Sequence, residues 1–191
     1  TIGKPPKFDF PVKSHVELGE ALGLFDFDSS SRTSGNGFYY LQGDLALLNQ
    51  ALIRFGIETM VKKGFLYVET PLMLRSNIIK AVTDLHDQKN QIYKIDDEDL
   101  YLIGTAEHAL NAYYLNETLD EKDLPVRFAG ISPCFRKEAG AHGKDTKGIF
   151  RVHQFDKVEQ FIFCKPEQAE KEFNFLLKNV EEIFKALKIP Y

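Results

Sequence analysis

The groups best able to do chemistry are concentrated in two short runs on either side of a charged, glycine-punctuated insert: "FRKEA" at 135–139 and "FRVHQFDKVEQF" at 150–161. If both runs are extended, alternation places Arg136 and Glu138 on one face of the first. It places Arg151, His153, Phe155, Lys157 and Glu159 on one face of the second. A solvated strand would account for the charges, but not for Phe155 set among them. An aromatic face is a stacking platform for a nucleobase. A guanidinium is a fork of donors matched to a phosphate, so Arg136, with Lys137 beside it, is the candidate anion clamp. Phe155 and Glu159 are four residues apart, which is ~13 Å at about 3.3 Å per residue. That span suits an adenylate, with the base at one end and a small ammonium-bearing group at the other. In "GTAEH", Glu107 offers a second carboxylate for the ammonium and Thr105 a hydroxyl.

Elements able to position these groups can be read along the chain. Ser14 with Glu17 three residues on starts a short helix in "SHVELGEALGL". "SSSRTSGNGF" reads as a flexible polar loop turning into a strand-like "FYYLQG". From Asp44, the spacing of Leu45, Leu48, Leu52 and Phe55 predicts a core-facing helix of about five turns that stops at Gly64. "FLYVETP" is a strand ended by Pro71, followed by a helix over 77–85. "QIYKIDDEDLYLI" is strand, acidic turn, strand, and it runs into a helix beginning at "GTAEHAL". After Pro166 a long helix carries Phe173, Leu176, Leu177, Val180, Ile183, Phe184 and Leu187 on a broad apolar face. The mixture predicts an α+β fold with a largely antiparallel sheet flanked by helices.

Composition narrows the function classes. At 191 residues with 43% hydrophobic content, the chain can bury one sizeable core. A net charge of −4 argues against a uniformly basic nucleic-acid surface, so a polyanion must be met locally. Cys134 and Cys164 lie in no CxxC or Cys/His cluster, so neither a disulfide framework nor a bound structural metal is expected. No apolar run approaches a membrane span and no secretory h-region is seen, which predicts a cytoplasmic protein. A phosphate loop of GxxxxGK[ST] type and a GxGxxG turn are both lacking, leaving a β-hairpin nucleotide site.

"GFLYVETP", "LYLIGTAEH" and "PCFRKEAGAHGKDTKGIFRVHQFDKVEQF" together resemble the catalytic core of class II aminoacyl-tRNA synthetases, of the seryl type found in archaea and eukaryotes. The resemblance runs from about Ser14 through the last helix. It implies that residues 64–71 are motif 1, at a homodimer interface; that 105–107 form the loop over serine; and that 127–161 are motif 2. Arg136 would clamp the α-phosphate and the serine carboxylate. Glu138 would hydrogen-bond adenine, Phe155 would stack on it, and Lys137 and Val152 would complete the ATP site. Thr105, Ala106, Glu107 and Glu159 would bind serine, and His142, Lys144 and Lys147 would meet the tRNA acceptor end. The implied substrates are serine, ATP with Mg²⁺, and serine tRNA.

Two parts expected of the family, an N-terminal coiled coil and the arginine-bearing motif 3, are not among these 191 residues, so the fold is expected to be incomplete on its C-terminal side. Three readings stay open on the residues alone: the core of a serine–tRNA ligase, a relative that aminoacylates a carrier protein, and a non-catalytic binding or dimerisation protein.

Overall fold

The computed structural model describes residues 2–84, 91–138 and 148–191. Helix α1 (His15–Ala21) starts at a capping box in which Ser14 and Glu17 satisfy each other's backbone N–H groups. Helix α2 (Phe27–Thr33) lies where a loop was expected: Asp26 caps it by accepting from Ser29 N, and the buried Ser30 hydroxyl donates to backbone carbonyls at Phe27 and Phe38. A serine-rich run has weak helix propensity, and the cap and these tertiary bonds override it. Residues 38–42 form no strand, only a bridge between Phe25 and Leu41.

Helix α3 (Gly43–Lys62) has Gln42, not Asp44, at its N-cap, and it ends as expected at Gly64, whose φ of 85° no β-branched residue would tolerate. Phe65 N bonds Met60 O at 3.1 Å and Gly64 N bonds Val61 O at 3.0 Å, the paired bonds of a Schellman stop. The core face is not the predicted one. Leu48 is 53% exposed, whereas Gly56 and Met60 are buried, and a Cβ on Gly56 would stand 3.4 Å from Val158. Close approach at a glycine is invisible to a pattern that counts only bulky apolar residues.

The main sheet is ordered β1 (Leu66–Glu69), β4 (Val126–Phe135), β5 (Gln154–Phe163), with β1 parallel and β5 antiparallel to β4. A second, antiparallel pair joins β2 (Met73–Arg75) to β3 (Leu100–Leu102), and α4 (Ser76–Val82) follows β2. The acidic turn before β3 forms, but its first arm contributes only the Lys94–Tyr101 bridge. On one face of the main sheet, α3 and α6 (Ala169–Ala186) close over Ala129 with Val158, Ile162, Phe175, Leu176 and Ile183. On the other, α5 (Ala106–Asn111) covers Phe128 with Ala106 and Leu110.

The helix α6 also turns differently from its apolar pattern. Phe173 is 65% exposed, while Glu172 and Asn179 are buried. Both polar groups are met from the sheet: Glu172 takes a bidentate ion pair from Arg127, and Asn179 donates to Gln160 Oε1 at 2.8 Å.

Helix α5 fixes the position of the site. A Cβ on Gly130 would come within 2.9 Å of Leu110 and 3.1 Å of Ala106, so α5 sits against the sheet where β4 has no side chain. It covers only part of that face. Beyond it, the register pairs Ser132 with Lys157 and Cys134 with Phe155, leaving a floor walled by β5 side chains.

Candidate active site

The β4–β5 ladder ends at Phe135 and Gln154, short of the predicted strands. One further bond runs from Arg136 N to His153 O at 2.9 Å. Then Lys137 N turns to Gln91 O at 2.9 Å and His153 N to Gly37 O at 2.8 Å. These competing carbonyls splay the two chains and open the space between them. The Arg136 carbonyl, which the ladder no longer serves, accepts from His153 Nδ1 at 2.8 Å, because a carbonyl can only accept. The Tyr93 hydroxyl lies 2.9 Å from the same nitrogen, and Phe38 stacks on the ring at 5.1 Å. Burial, and next the Glu138 carboxylate, push the Tyr93 hydroxyl above its ordinary value, so it stays protonated. Gly37 is required here: at φ 81°, its Cβ would fall 2.6 Å from His153 Cδ2.

Two pockets open from this splay. The first, of about 280 Å³, is lined by Arg136, Glu138, Ile149, Phe150, Arg151, Val152 and Phe155. The second, of about 260 Å³, is lined by Thr83, Gln91, Ile92, Gly104, Thr105, His108 and Arg136. Arg136 is common to both. Its guanidinium carbon lies 5.0 Å from the Phe155 ring centroid, and Nε donates to Gly104 O at 3.3 Å. One face of the cation thus looks into the aromatic pocket while its stem is tied to the strand-to-helix turn that walls the other. In the first pocket Arg151 pairs with Glu138 at 2.9 Å, and Glu138 holds a left-handed φ of 49°. Strain of that kind persists where surrounding contacts over-determine it.

At the second pocket Thr105, the N-cap of α5, accepts from Glu107 N at 3.2 Å and donates its hydroxyl to Glu159 at 3.0 Å. Glu159 also pairs with Lys157. Thr105 and Glu159 are therefore brought together from elements 54 residues apart. Cys134 forms part of the floor beneath, fully buried, and burial pushes its thiol up and keeps it protonated.

Other expected site residues are placed elsewhere. The Ala106 side chain belongs to the core beside Gly130, so only its backbone could meet a ligand. Glu107 is exposed in the first turn of α5 and lines neither pocket. The Lys137 ammonium lies 5.8 Å from the Tyr93 ring centroid and lines neither pocket. Val152 is buried in the wall of the first pocket. His142, Lys144 and Lys147 lie outside the described residues. Arg151, His153, Gln91 and His108 were not singled out as site residues. For the first two, a signal was present, since they share the predicted face of Phe155; for Gln91 and His108 nothing local pointed to a site. Among the described residues no group of three or more His, Cys, Asp or Glu could hold a metal ion, and no helix is long and apolar enough to cross a membrane.

Comparisons with known proteins bear on this arrangement. Residues 92–191 match the family model of the tRNA synthetase class II core domain (G, H, P, S and T). Over 190 residues the chain is 50% identical to the serine–tRNA ligase of Methanocorpusculum labreanum, covering 100% of this chain and 45% of that protein. The crystal structure of seryl-tRNA synthetase from Pyrococcus horikoshii complexed with ATP superposes with a TM-score of 0.94 at 49% identity, over 96% of this chain and 41% of that one. Cytoplasmic serine–tRNA ligase from Naegleria fowleri in complex with AMP gives 0.89 at 38% identity, over 93% and 42%. The chain therefore spans a little under half the length of these relatives. Both pockets and the arginine between them draw on the matched residues, and with the match covering half of its length the chain belongs to the family of class II tRNA synthetase core domains.

Proposed function

We propose that this chain is the ATP- and serine-binding core of a serine–tRNA ligase. The observation that carries the reading is the single guanidinium of Arg136 forming the common wall of an aromatic pocket and a small polar pocket. The reaction needs a group at the junction of two ligands: the serine carboxylate attacks the α-phosphorus of ATP, forming the acyl phosphate bond as pyrophosphate leaves. A fixed cation there draws the carboxylate and the phosphate together and stabilises the charge gathering on the α-phosphate oxygens. Phe155 and Val152 offer the base an aromatic platform and an apolar wall, and Glu138 offers its exocyclic amine an acceptor. Arg151 offers a second cation for the phosphates. Thr105 lines the amino-acid pocket, and Glu159, which lines neither pocket but accepts from the Thr105 hydroxyl, offers carboxylate charge for the ammonium from beside it. In the second step, a terminal ribose hydroxyl of serine tRNA attacks the seryl carbonyl and AMP leaves. His142, Lys144 and Lys147 are assigned to the acceptor end on the strength of the resemblance.

Mg²⁺ would arrive on the ATP phosphates and neutralise part of their charge. Among the described residues no group of three or more His, Cys, Asp or Glu could hold it apart from the phosphates. A second copy of the chain is the assigned partner of the apolar side chains exposed along α3 and β1, Leu47, Leu48, Leu52 and Leu66 among them. The expected compartment is the cytoplasm. The test is pyrophosphate exchange into ATP by the full-length protein with serine, alanine or threonine, followed by charging of serine tRNA. Serine-dependent exchange at least tenfold above alanine is expected, since a site built to bond a hydroxyl rejects the analogue lacking it. Exchange that is independent of serine would overturn the reading.

A further inference from the structure

We infer that His15, on α1, is a positioning residue for the outer wall of the aromatic pocket, an inference that rests on that pocket being the nucleotide site. The wall at Ile149 and Phe150 is not carried by the sheet, because β5 begins only at Gln154. Phe150 itself is 74% exposed. What holds the segment comes from a part of the chain 134 residues away: His15 Nε2 accepts a hydrogen bond from Ile149 N at 3.3 Å. The His15 ring also packs edge-on against Phe150, with centroids 4.3 Å apart at 61°. Gly148 completes the contact. Its φ is 76°, and a Cβ there would fall 2.0 Å from His15 Nε2 and 2.7 Å from Val16 Cγ2, so the backbone approaches the imidazole nitrogen to a distance only glycine allows.

The bracing helix is itself anchored. The capping box of Ser14 and Glu17 fixes its first turn, where His15 sits, and Gly19 lets Phe25 press against its other end, the missing Cβ lying 1.9 Å from that ring. From Phe25 the connection returns to the hairpin: Leu24 O accepts from Gln42 N, Asp26 N donates to Tyr40 O, and Gly37 O accepts from His153 N. The N-terminal segment therefore grips the hairpin at two places, the base at His153 and the wall at 148–150. Because Nε2 must accept, the ring hydrogen resides on Nδ1. The serine-side pocket takes no residue from α1. Nucleotide affinity should thus depend on His15 while serine affinity does not.

The experiment measures ATP dissociation constants by calorimetry, and Michaelis constants for ATP and serine by pyrophosphate exchange, on the full-length protein and its His15→Phe, His15→Gln and Gly148→Ala variants. His15→Phe keeps the ring and loses the acceptor. It should weaken ATP binding about 2- to 12-fold, the range of one net hydrogen bond, and leave the serine constant unchanged. His15→Gln can present an amide oxygen near the Nε2 position and should recover most of the loss. Gly148→Ala pushes on the same contact from the other side and should reproduce the selective loss, which keeps the test decisive if His15→Phe does not fold. Unchanged ATP binding in His15→Phe, or in Gly148→Ala where His15→Phe does not fold, or an equal loss for serine, overturns the inference. If the wild type binds ATP but shows no serine-dependent exchange, the proposed function fails, and the calorimetry still decides the role of His15.

Discussion

Replacing Arg136 by alanine should abolish most activation while leaving the fold in place. Three contacts disappear: the bond from Nε to Gly104 O at 3.3 Å, the cation over Phe155 at 5.0 Å, and the shared wall of the two pockets. The cation–π contact at a partly exposed site amounts to ~0.5–1 kcal/mol, a contribution to stability or ground-state binding. The third loss is larger, because it falls where charge develops. By comparison with removing one preorganised oxyanion donor, it should cost about 2.7–4 kcal/mol of transition-state stabilisation, or roughly 10²- to 10³-fold in rate. The drop should therefore appear in kcat for serine-dependent pyrophosphate exchange, with a change in melting temperature of only a few degrees. Arg136→Lys supplies the control. It keeps a point charge but loses the planar fork, so it cannot hold Gly104 O while serving both ligands and should recover only part of the rate. An Arg136→Ala protein exchanging within threefold of an active wild type would refute the placement of Arg136 at the reacting centre.

Other outcomes follow from the same geometry. His153→Phe keeps the ring on Phe38 but leaves the Arg136 carbonyl without its donor, and should cost about 1–3 kcal/mol in urea unfolding, together with a fall in kcat that His153→Asn partly restores. Arg127→Ala leaves Glu172, 4% exposed, as an unpaired buried carboxylate and should destabilise by about 3–5 kcal/mol in the same assay. Asp26, bonded by Ser29 N, and Glu182, bonded by Lys63, have carboxyls held below the ordinary range. Their stabilisation is complete above the unfolded-state values and is lost as pH falls through the lower folded ones. The melting temperature should therefore decline below about pH 4, and less steeply in an Asp26→Asn, Glu182→Gln variant.

Much of this was legible along the chain, and the parts that were not have a common cause. Caps, stops and periodicity are local: the Ser14–Glu17 box, the left-handed Gly64 and the turn into α5 at Thr105 are each decided within a few residues, and each appears where the sequence predicts it. The unusual make-up of the hairpin was legible for a similar reason, since Arg136, Phe155 and Glu159 are rare choices for a strand face, and the structure sets Arg136 over Phe155. Burial is different. The inward faces of α3 and α6 were misjudged because Gly56 invites close packing without looking apolar, and because Glu172 and Asn179 are acceptable inside only when Arg127 and Gln160 wait for them on the sheet.

The sequence by itself determined which charged and aromatic residue types gather on the β-hairpin, and that a strand-to-helix turn carries Thr105 and Glu107. Only the tertiary structure decided which of them face the pockets. Carbonyls of Gly37 and Gln91 pull the strands apart at Arg136, Gly130 admits α5 and so brings Thr105 to Glu159, and the first turn of α5 leaves Glu107 outside. Each of these depends on a partner tens of residues away. Spacing along a chain reports which face a side chain takes, but not what meets that face when the chain folds.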